Sequence, residues 1–291
     1  MSRFVSAGVL LATVAALVVG CGGAPEIQMA PGEKLSLSYK LIDGLSYKGK
    51  SFQTTNYKGF ANDSMTENKF RTSVDSLYSD GTIVRTLRYD EYSIVTYSGG
   101  QAIFDDGAKM IEGEQLWLKV DASGGIVDWR GLEGVRSYTS EERNQRETMV
   151  QSVALSFLTL PPGPVGQGDT WSQTVEMPID IRQGELNLKV TNHYTLAGIA
   201  TRNGYTCAKI DMISESVGTG GGGDESRAYS FDVDIEGEGK GAVYFGLDEG
   251  YLIFSHEETN LQTEHTSIRG REEAKTEFFS AKIESEVVLV E

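Results

Sequence analysis

The sequence predicts a mainly β protein: an antiparallel curved sheet or half-barrel, built from two β-rich halves joined by one amphipathic helix. Three observations carry that expectation. Apolar residues recur at every second position through many short runs, the period of a half-buried strand. Glycine-marked turns separate those runs, in a chain with 34 Gly and only 6 Pro. One stretch switches to helical spacing and is followed by a proline cluster.

The first strand signal is Leu35, Leu37, Tyr39 and Leu41 alternating with Ser36, Ser38 and Lys40. Asp43-Gly44 and Lys48-Gly49 punctuate the residues after it. Asp80-Gly81 then lies between two strand-like runs and marks a hairpin. Further strands are expected at residues 92–97, 101–104, 115–120 and 125–129, separated by Ser98-Gly99-Gly100, Asp106-Gly107 and Ser123-Gly124-Gly125.

Thr139-Ser140-Glu141-Glu142 reads as a capping box, Thr139 at the N-cap and Glu142 at N3. Val150, Val153, Ala154, Phe157 and Leu158 form one apolar stripe at helical spacing, with Met149 beside it. Pro161-Pro162-Gly163-Pro164 is expected to stop the helix. Beyond it, Leu186, Leu188 and Val190 alternate with polar neighbours, and Asn203-Gly204 turns the chain before Ala208, Ile210 and Met212. The tetraglycine 220–223 reads as a mobile hairpin tip. It lacks the Gly-Lys-Ser or Gly-Lys-Thr of a phosphate loop. Asp248-Glu249-Gly250 turns another hairpin, and residues 278–289 read as closing strands. The resulting division is residues 1–20 as export signal, 21–32 as lipidated cysteine and tether, 33–138 as N-terminal β half, 139–160 as connecting helix and 161–291 as C-terminal β half.

The signal reading rests on the first residues. Arg3 precedes an apolar run from residue 4 to residue 19, too short and wrongly flanked for a spanning helix. Val18-Val19-Gly20-Cys21 resembles the lipobox of bacterial lipoproteins. That resemblance implies diacylglycerol on the Cys21 thiol, removal of residues 1–20 and anchoring by two or three acyl chains, a number that holds firmly to a bilayer. Gly22, where inner-membrane retention favours Asp, leans toward the outer membrane.

Composition narrows the partners. With 26 Lys plus Arg against 42 Asp plus Glu, the net charge of −16 disfavours nucleic acid and anionic lipid surfaces. Cys207, the other of 2 cysteines, lies in a strand-like run and reads as a buried thiol. No cofactor or metal motif is present: Asp232, Asp234, Glu236 and Glu238 share one strand face but read as a solvated acidic surface. The imidazoles are His193, His256 and His265, none in a nucleophile or metal motif, so no catalytic residue is assigned and a non-enzymatic role is expected.

Pro161-Pro162-Gly163-Pro164-Val165 followed by Gly168-Asp169-Thr170-Trp171 resembles a Pro-Val…Gly-Asp-Thr-Trp element of uncharacterised secreted β-rich bacterial proteins. The resemblance implies architecture only: a helix ends at the prolines and a turn opens a β half. Gly168 would permit the turn, Asp169 cap it and Trp171 plug the core beside it. The gross plan is also similar to envelope lipid carriers of the LolA/LppX type, in which a curved sheet wraps a helix around an apolar cavity. Two roles are expected on these grounds. One is binding or carrying an apolar ligand or lipid. The other is a non-catalytic scaffold that binds an envelope protein or polymer, with Tyr57, Phe60 and Tyr138 as members of a contact patch. A hydrolase is a minor third.

Overall fold

A computed structural model describes residues 26–58, 60–98, 101–104, 111–134, 142–181, 184–224, 228–270 and 272–290. Cys21, Tyr138 and the Thr139 cap lie outside them. The described chain is one antiparallel sheet of thirteen strands. They are β1 (Glu26–Ile27), β2 (Ile42–Tyr57), β3 (Phe60–Leu77), β4 (Ile83–Ser98), β5 (Gln101–Phe104), β6 (Gln115–Val120), β7 (Ile126–Gly131), β8 (Thr170–Ile181), β9 (Gly184–Arg202), β10 (Tyr205–Asp224), β11 (Tyr229–Gly246), β12 (Leu252–Arg269) and β13 (Lys275–Val290), with one helix, α1 (Glu142–Leu155), between β7 and β8. The spatial order is β1-β9-β10-β11-β12-β13-β2-β3-β4-β6-β7, with β8 also on β9 and β5 on β4.

The two expected halves are two meanders, β2 to β7 and β8 to β13. They form one sheet because the last strand meets the first long one: Leu289 pairs with Tyr47 and Val290 with Ser46. The sheet does not close on itself, yet it is strongly curved. Leu87 and Tyr89 of β4 line the same cavity as Val190, Asn192 and Tyr194 of β9, strands far apart in the order. Helix α1 lies against the concave side. Val150 and Val153 pack with Leu87, Leu116 and Leu118, while Leu155 packs with Val175, Met177, Leu186 and Leu188. It therefore ties the two meanders together by apolar burial.

Several local expectations change. The run from Leu35 has the burial alternation of a strand, with Leu37 and Tyr39 buried, but makes only an isolated bridge, Leu35 to Val165. It crosses to the C-terminal meander, where Leu37 and Tyr39 join Leu196, Ile210 and Phe245. The segment read as tether is docked from Glu26 onward: Glu26 and Ile27 pair with Ala200 and Ile199, and Met29 is buried with its amide donated to Gln167 Oε1 at 3.1 Å. The helix ends at Leu155, before the prolines. The Ser156 hydroxyl donates to the Val153 carbonyl at 2.6 Å, and the extended chain beyond delivers Phe157 and Leu158 to different apolar clusters.

The tetraglycine is not a hairpin tip. Gly220 pairs with Leu186 on one side and Val233 on the other, inside β10. A Cβ on Gly220 would stand 2.3 Å from the Glu185 carbonyl oxygen and 2.6 Å from the Leu186 Cα. These glycines serve close backbone approach, a use the turn reading overlooked.

The Gly-Asp-Thr-Trp turn forms as expected. Gly168 has φ of 88°, and Asp169 Oδ2 accepts the Gly166 amide at 2.8 Å. Trp171 donates its indole N–H to the Thr159 carbonyl at 2.6 Å and stacks on Tyr194, ring centroids 5.6 Å apart.

Candidate functional site

The concave face holds two adjoining cavities. The larger is about 120 Å³ as room for water centres; a water needs roughly 10–15 Å³ of such room, so it admits on the order of ten. Its walls come from β2, β3, β4, the end of α1, and β9 to β13. Phe70, Leu87, Tyr89, Val153, Leu155, Leu158 and Met212 make one part apolar, and Ser51, Thr66, Asn68, Asn192 and Glu257 make another polar. The smaller cavity, about 40 Å³, shares Phe70, Ser156, Leu158, Leu252 and Val287 with it and adds Tyr39, Tyr47, Thr72 and Arg85.

Sheet register explains the polar part. Gln173 pairs with Asn192, Asn192 with Ser214, Ser214 with Gly239, Gly239 with Thr259, Gly241 with Glu257, and Glu257 with Ser285. On the next strands Ser51 pairs with Thr66 and Gly49 with Asn68. A belt of small polar residues thus crosses the concave face between apolar clusters.

The belt passes the seam between the meanders. The β13–β2 ladder contains only its two terminal pairs. The same register carried onward sets Ser285 opposite Ser51 and Phe279 opposite Tyr57, and those two rings do stack, at 4.6 Å. Tyr57 and Lys58 also hold Glu277, each at 2.7 Å. The two strands stay side by side along the seam, held at both ends, while the ladder pairing covers one end only. Ser51 Oγ, Gln53 Oε1, Asn68 Oδ1 and Ser285 Oγ are buried there with no protein partner. A buried polar group left unpaired costs about 1–3 kcal/mol, so the seam is built for water or a polar ligand.

Glu257 is the acidic group of the belt. Its Oε1 accepts the Ser214 hydroxyl at 2.6 Å and the Thr259 hydroxyl at 3.0 Å. Burial pushes its carboxyl above the usual range despite both hydrogen bonds. Gly239 makes the room: a Cβ there would lie 2.8 Å from Glu257 Oε1 and 2.1 Å from Ser214 Oγ.

Arg85 is the basic group beside the smaller cavity, 6% exposed. Its guanidinium lies 4.0 Å from the Tyr39 ring centroid and 4.4 Å from that of Phe157. Among the described residues no carboxylate forms an ion pair with it. Two desolvated cation–π contacts contribute about 2 kcal/mol each, against several for burying an ion. Thr72 Oγ1, on the same cavity, is buried without a partner. Burial pushes the Tyr39 hydroxyl up, opposed by the Arg85 charge and by a hydrogen bond from Arg85; that hydroxyl donates to the Leu158 carbonyl.

Of the histidines, acidic residues and Cys207 singled out from sequence, His256 contributes to the wall of the larger cavity and the others do not. His256 and Glu257 are consecutive on β12, so their side chains leave opposite faces of the sheet; His256 lies beside Phe254 at 5.8 Å. Burial and then Arg202 hold its pKa down. His193 is on β9, opposite Ser172 and Ile213, and His265 stacks on Phe231 at 5.6 Å. Asp232, Asp234, Glu236 and Glu238 lie along β11, away from the cavity walls, and among the described residues no His, Cys, Asp and Glu group is placed to hold a metal. Cys207 is fully buried, its thiol pushed up to about 11 by burial. Phe60 is 74% exposed.

No protein-family model matches the chain, and no curated protein does. Among solved structures, a Bacteroides fragilis protein with a YmcC-like fold is similar over 87% of this chain and 98% of its own, at 9% identity and a TM-score of 0.24. The hypothetical lipoprotein YmcC of Escherichia coli matches 83% of this chain and 92% of its own, at 9% identity and TM-score 0.24. An outer membrane channel of Pseudomonas putida F1 matches 90% and 100%, at 7% identity and TM-score 0.17. Superpositions this loose carry no functional argument.

Proposed function

We propose that the chain is a lipoprotein of the bacterial cell envelope, anchored through lipid on Cys21 and favouring the outer membrane, whose body binds a small amphipathic ligand without catalysing a reaction. The anchor rests on Val18-Val19-Gly20-Cys21 and Gly22. The binding role rests on one observation above all: beside the β13–β2 seam, where ladder pairing stops after two pairs, Ser51 and Asn68 line the cavity with buried oxygens that have no protein partner. The wall is apolar on one side and polar on the other, which revises the expected ligand from a purely apolar one to an amphipathic one. The cavity admits on the order of ten heavy atoms, well below the usual ligand pockets of about 300–1,000 Å³. A short-chain molecule suits it better than a diacyl lipid.

The test is to isolate the protein from its own envelope and analyse an organic extract by mass spectrometry. A stoichiometric small amphiphile is expected, with Cys21→Ala shifting the protein out of the membrane fraction. An extract with no ligand would overturn the binding role, and an unchanged membrane fraction would overturn the anchor. A scaffold role is the second reading, favoured by the exposed Phe60 and Phe278, 74% and 68% accessible; it is tested by whether Phe60→Ser lowers recovery of an envelope partner.

A further inference from the structure

We propose that the Arg85 end of the cavity binds the anionic group, a carboxylate or a phosphate, of a short apolar-bodied ligand. This rests on the ligand-binding reading above and names the chemistry that the site selects.

Arg85 projects from β4 on the same face as Leu87 and Tyr89, which line the larger cavity. It sits where a solvent-facing charge would have no place: Val74 and Leu118 are its cross-strand neighbours, and both are buried. Its guanidinium carbon lies over the Tyr39 and Phe157 rings, and it hydrogen-bonds the Tyr39 hydroxyl. A guanidinium carries five N–H donors in one plane, so donors beyond that bond remain for a carboxylate or a phosphate. Arg85 lines the smaller cavity together with Thr72, whose buried hydroxyl has no partner. About 40 Å³ there accommodates roughly three water-sized atoms, the size of a carboxylate.

The rest of a ligand has a defined path. The two cavities share Phe70, Leu158, Leu252 and Val287, an apolar neck leading to Leu87, Tyr89 and Met212. The protein's net charge of −16 makes its exterior repel anions. Selectivity for an anion must then come from one buried cation, and Arg85 is the buried cation placed to supply it.

Residues 26–290 contain every described strand and all four apolar clusters, so residues 22–291 serve for the test. Octanoate, octyl phosphate, octanol and octylammonium are titrated calorimetrically against this protein and against Arg85→Met and Arg85→Lys. Octanoate or octyl phosphate is expected to bind at least tenfold more tightly than octanol, and octylammonium most weakly. The better of the two anions identifies the headgroup. Arg85→Met is expected to erase the preference for the anions while leaving octanol bound, and Arg85→Lys to retain part of it. Equal binding of octanoate, octyl phosphate and octanol would overturn the anion assignment alone, as would tightest binding of octylammonium or an unchanged preference in Arg85→Met. Failure of all four to bind would overturn the ligand-binding reading with it. Should Arg85→Met fail to fold by near-ultraviolet circular dichroism, the ligand series on the unsubstituted protein and Arg85→Lys decide.

Discussion

Gly239→Ala puts the packing around Glu257 to a quantitative test. In an ordinary exposed strand, replacing Gly by Ala stabilises by about 0.4–1 kcal/mol, because the unfolded chain loses freedom. Here the new Cβ would stand 2.1 Å from Ser214 Oγ, 2.7 Å from Thr259 Oγ1 and 2.8 Å from Glu257 Oε1. All three side chains must move. Overpacking costs about 1–3 kcal/mol, and losing the Ser214–Glu257 hydrogen bond adds roughly 1 kcal/mol. The net expectation is destabilisation by about 2 kcal/mol. Urea unfolding of residues 22–291, followed by circular dichroism, reads it directly. Repeating the substitution in a Glu257→Ala background frees Ser214 and Thr259 to rotate, so the cost should fall, with a coupling of about 1 kcal/mol or more. A Gly239→Ala protein as stable as the parent, or a cost unchanged by Glu257→Ala, would refute the belt geometry.

Gly220→Ala is expected to destabilise by about 2–3 kcal/mol, since the clash is with the Glu185 and Leu186 backbone of a paired strand; a neutral effect in urea unfolding would restore the hairpin-tip reading. Hydrogen exchange should find the backbone amides facing the sparsely paired seam, near Ser51 and Ser285, faster than those of β10, which is paired on both sides. Equal protection would mean that the seam is closed. Leu118→Ala removes a fully buried side chain and should cost about 3–5 kcal/mol in urea unfolding; a cost below about 1 kcal/mol would contradict the packing of α1 on β4 and β6. The raised Glu257 pKa sets the sign of a pH effect. Folding favours its protonated form, so that contribution is complete below the unfolded value near 4.5 and is lost as pH rises through the higher folded value. Glu257→Gln should therefore gain stability relative to the parent as pH rises from about 4.5 to about 8, and a falling difference over that range would contradict the burial.

Much of the fold was legible because burial follows period. Val243, Phe245 and Ile253 around the Asp248-Glu249-Gly250 turn, and the Asp169 cap, needed only local rules. What stayed hidden was long-range. Two-residue periodicity says which residues share a face, but not that β13 returns to β2, or that Leu37 and Tyr39 cross to the other meander. The polar belt escaped for a related reason. On β10 the apolar alternation of Ile210 and Met212 continues inward through Ser214 and Ser216, and a hydrophobicity pattern hands such residues to solvent. Arg85, in a run of alternating strand residues, carried no sign of its burial. The signal available was a charge at an otherwise apolar inward position, two residues before Leu87 and four before Tyr89. Glycine was the commonest misreading, because it marks turns and close strand approach alike.

Whether the space behind the seam holds a ligand is decided by native mass spectrometry of the protein released gently from its envelope, beside a Val287→Phe variant that fills the neck shared by both cavities. One discrete added mass is expected on the parent protein, lost in the variant while both remain folded. Bare protein in both, or an added mass that survives Val287→Phe, would contradict a ligand held behind the seam.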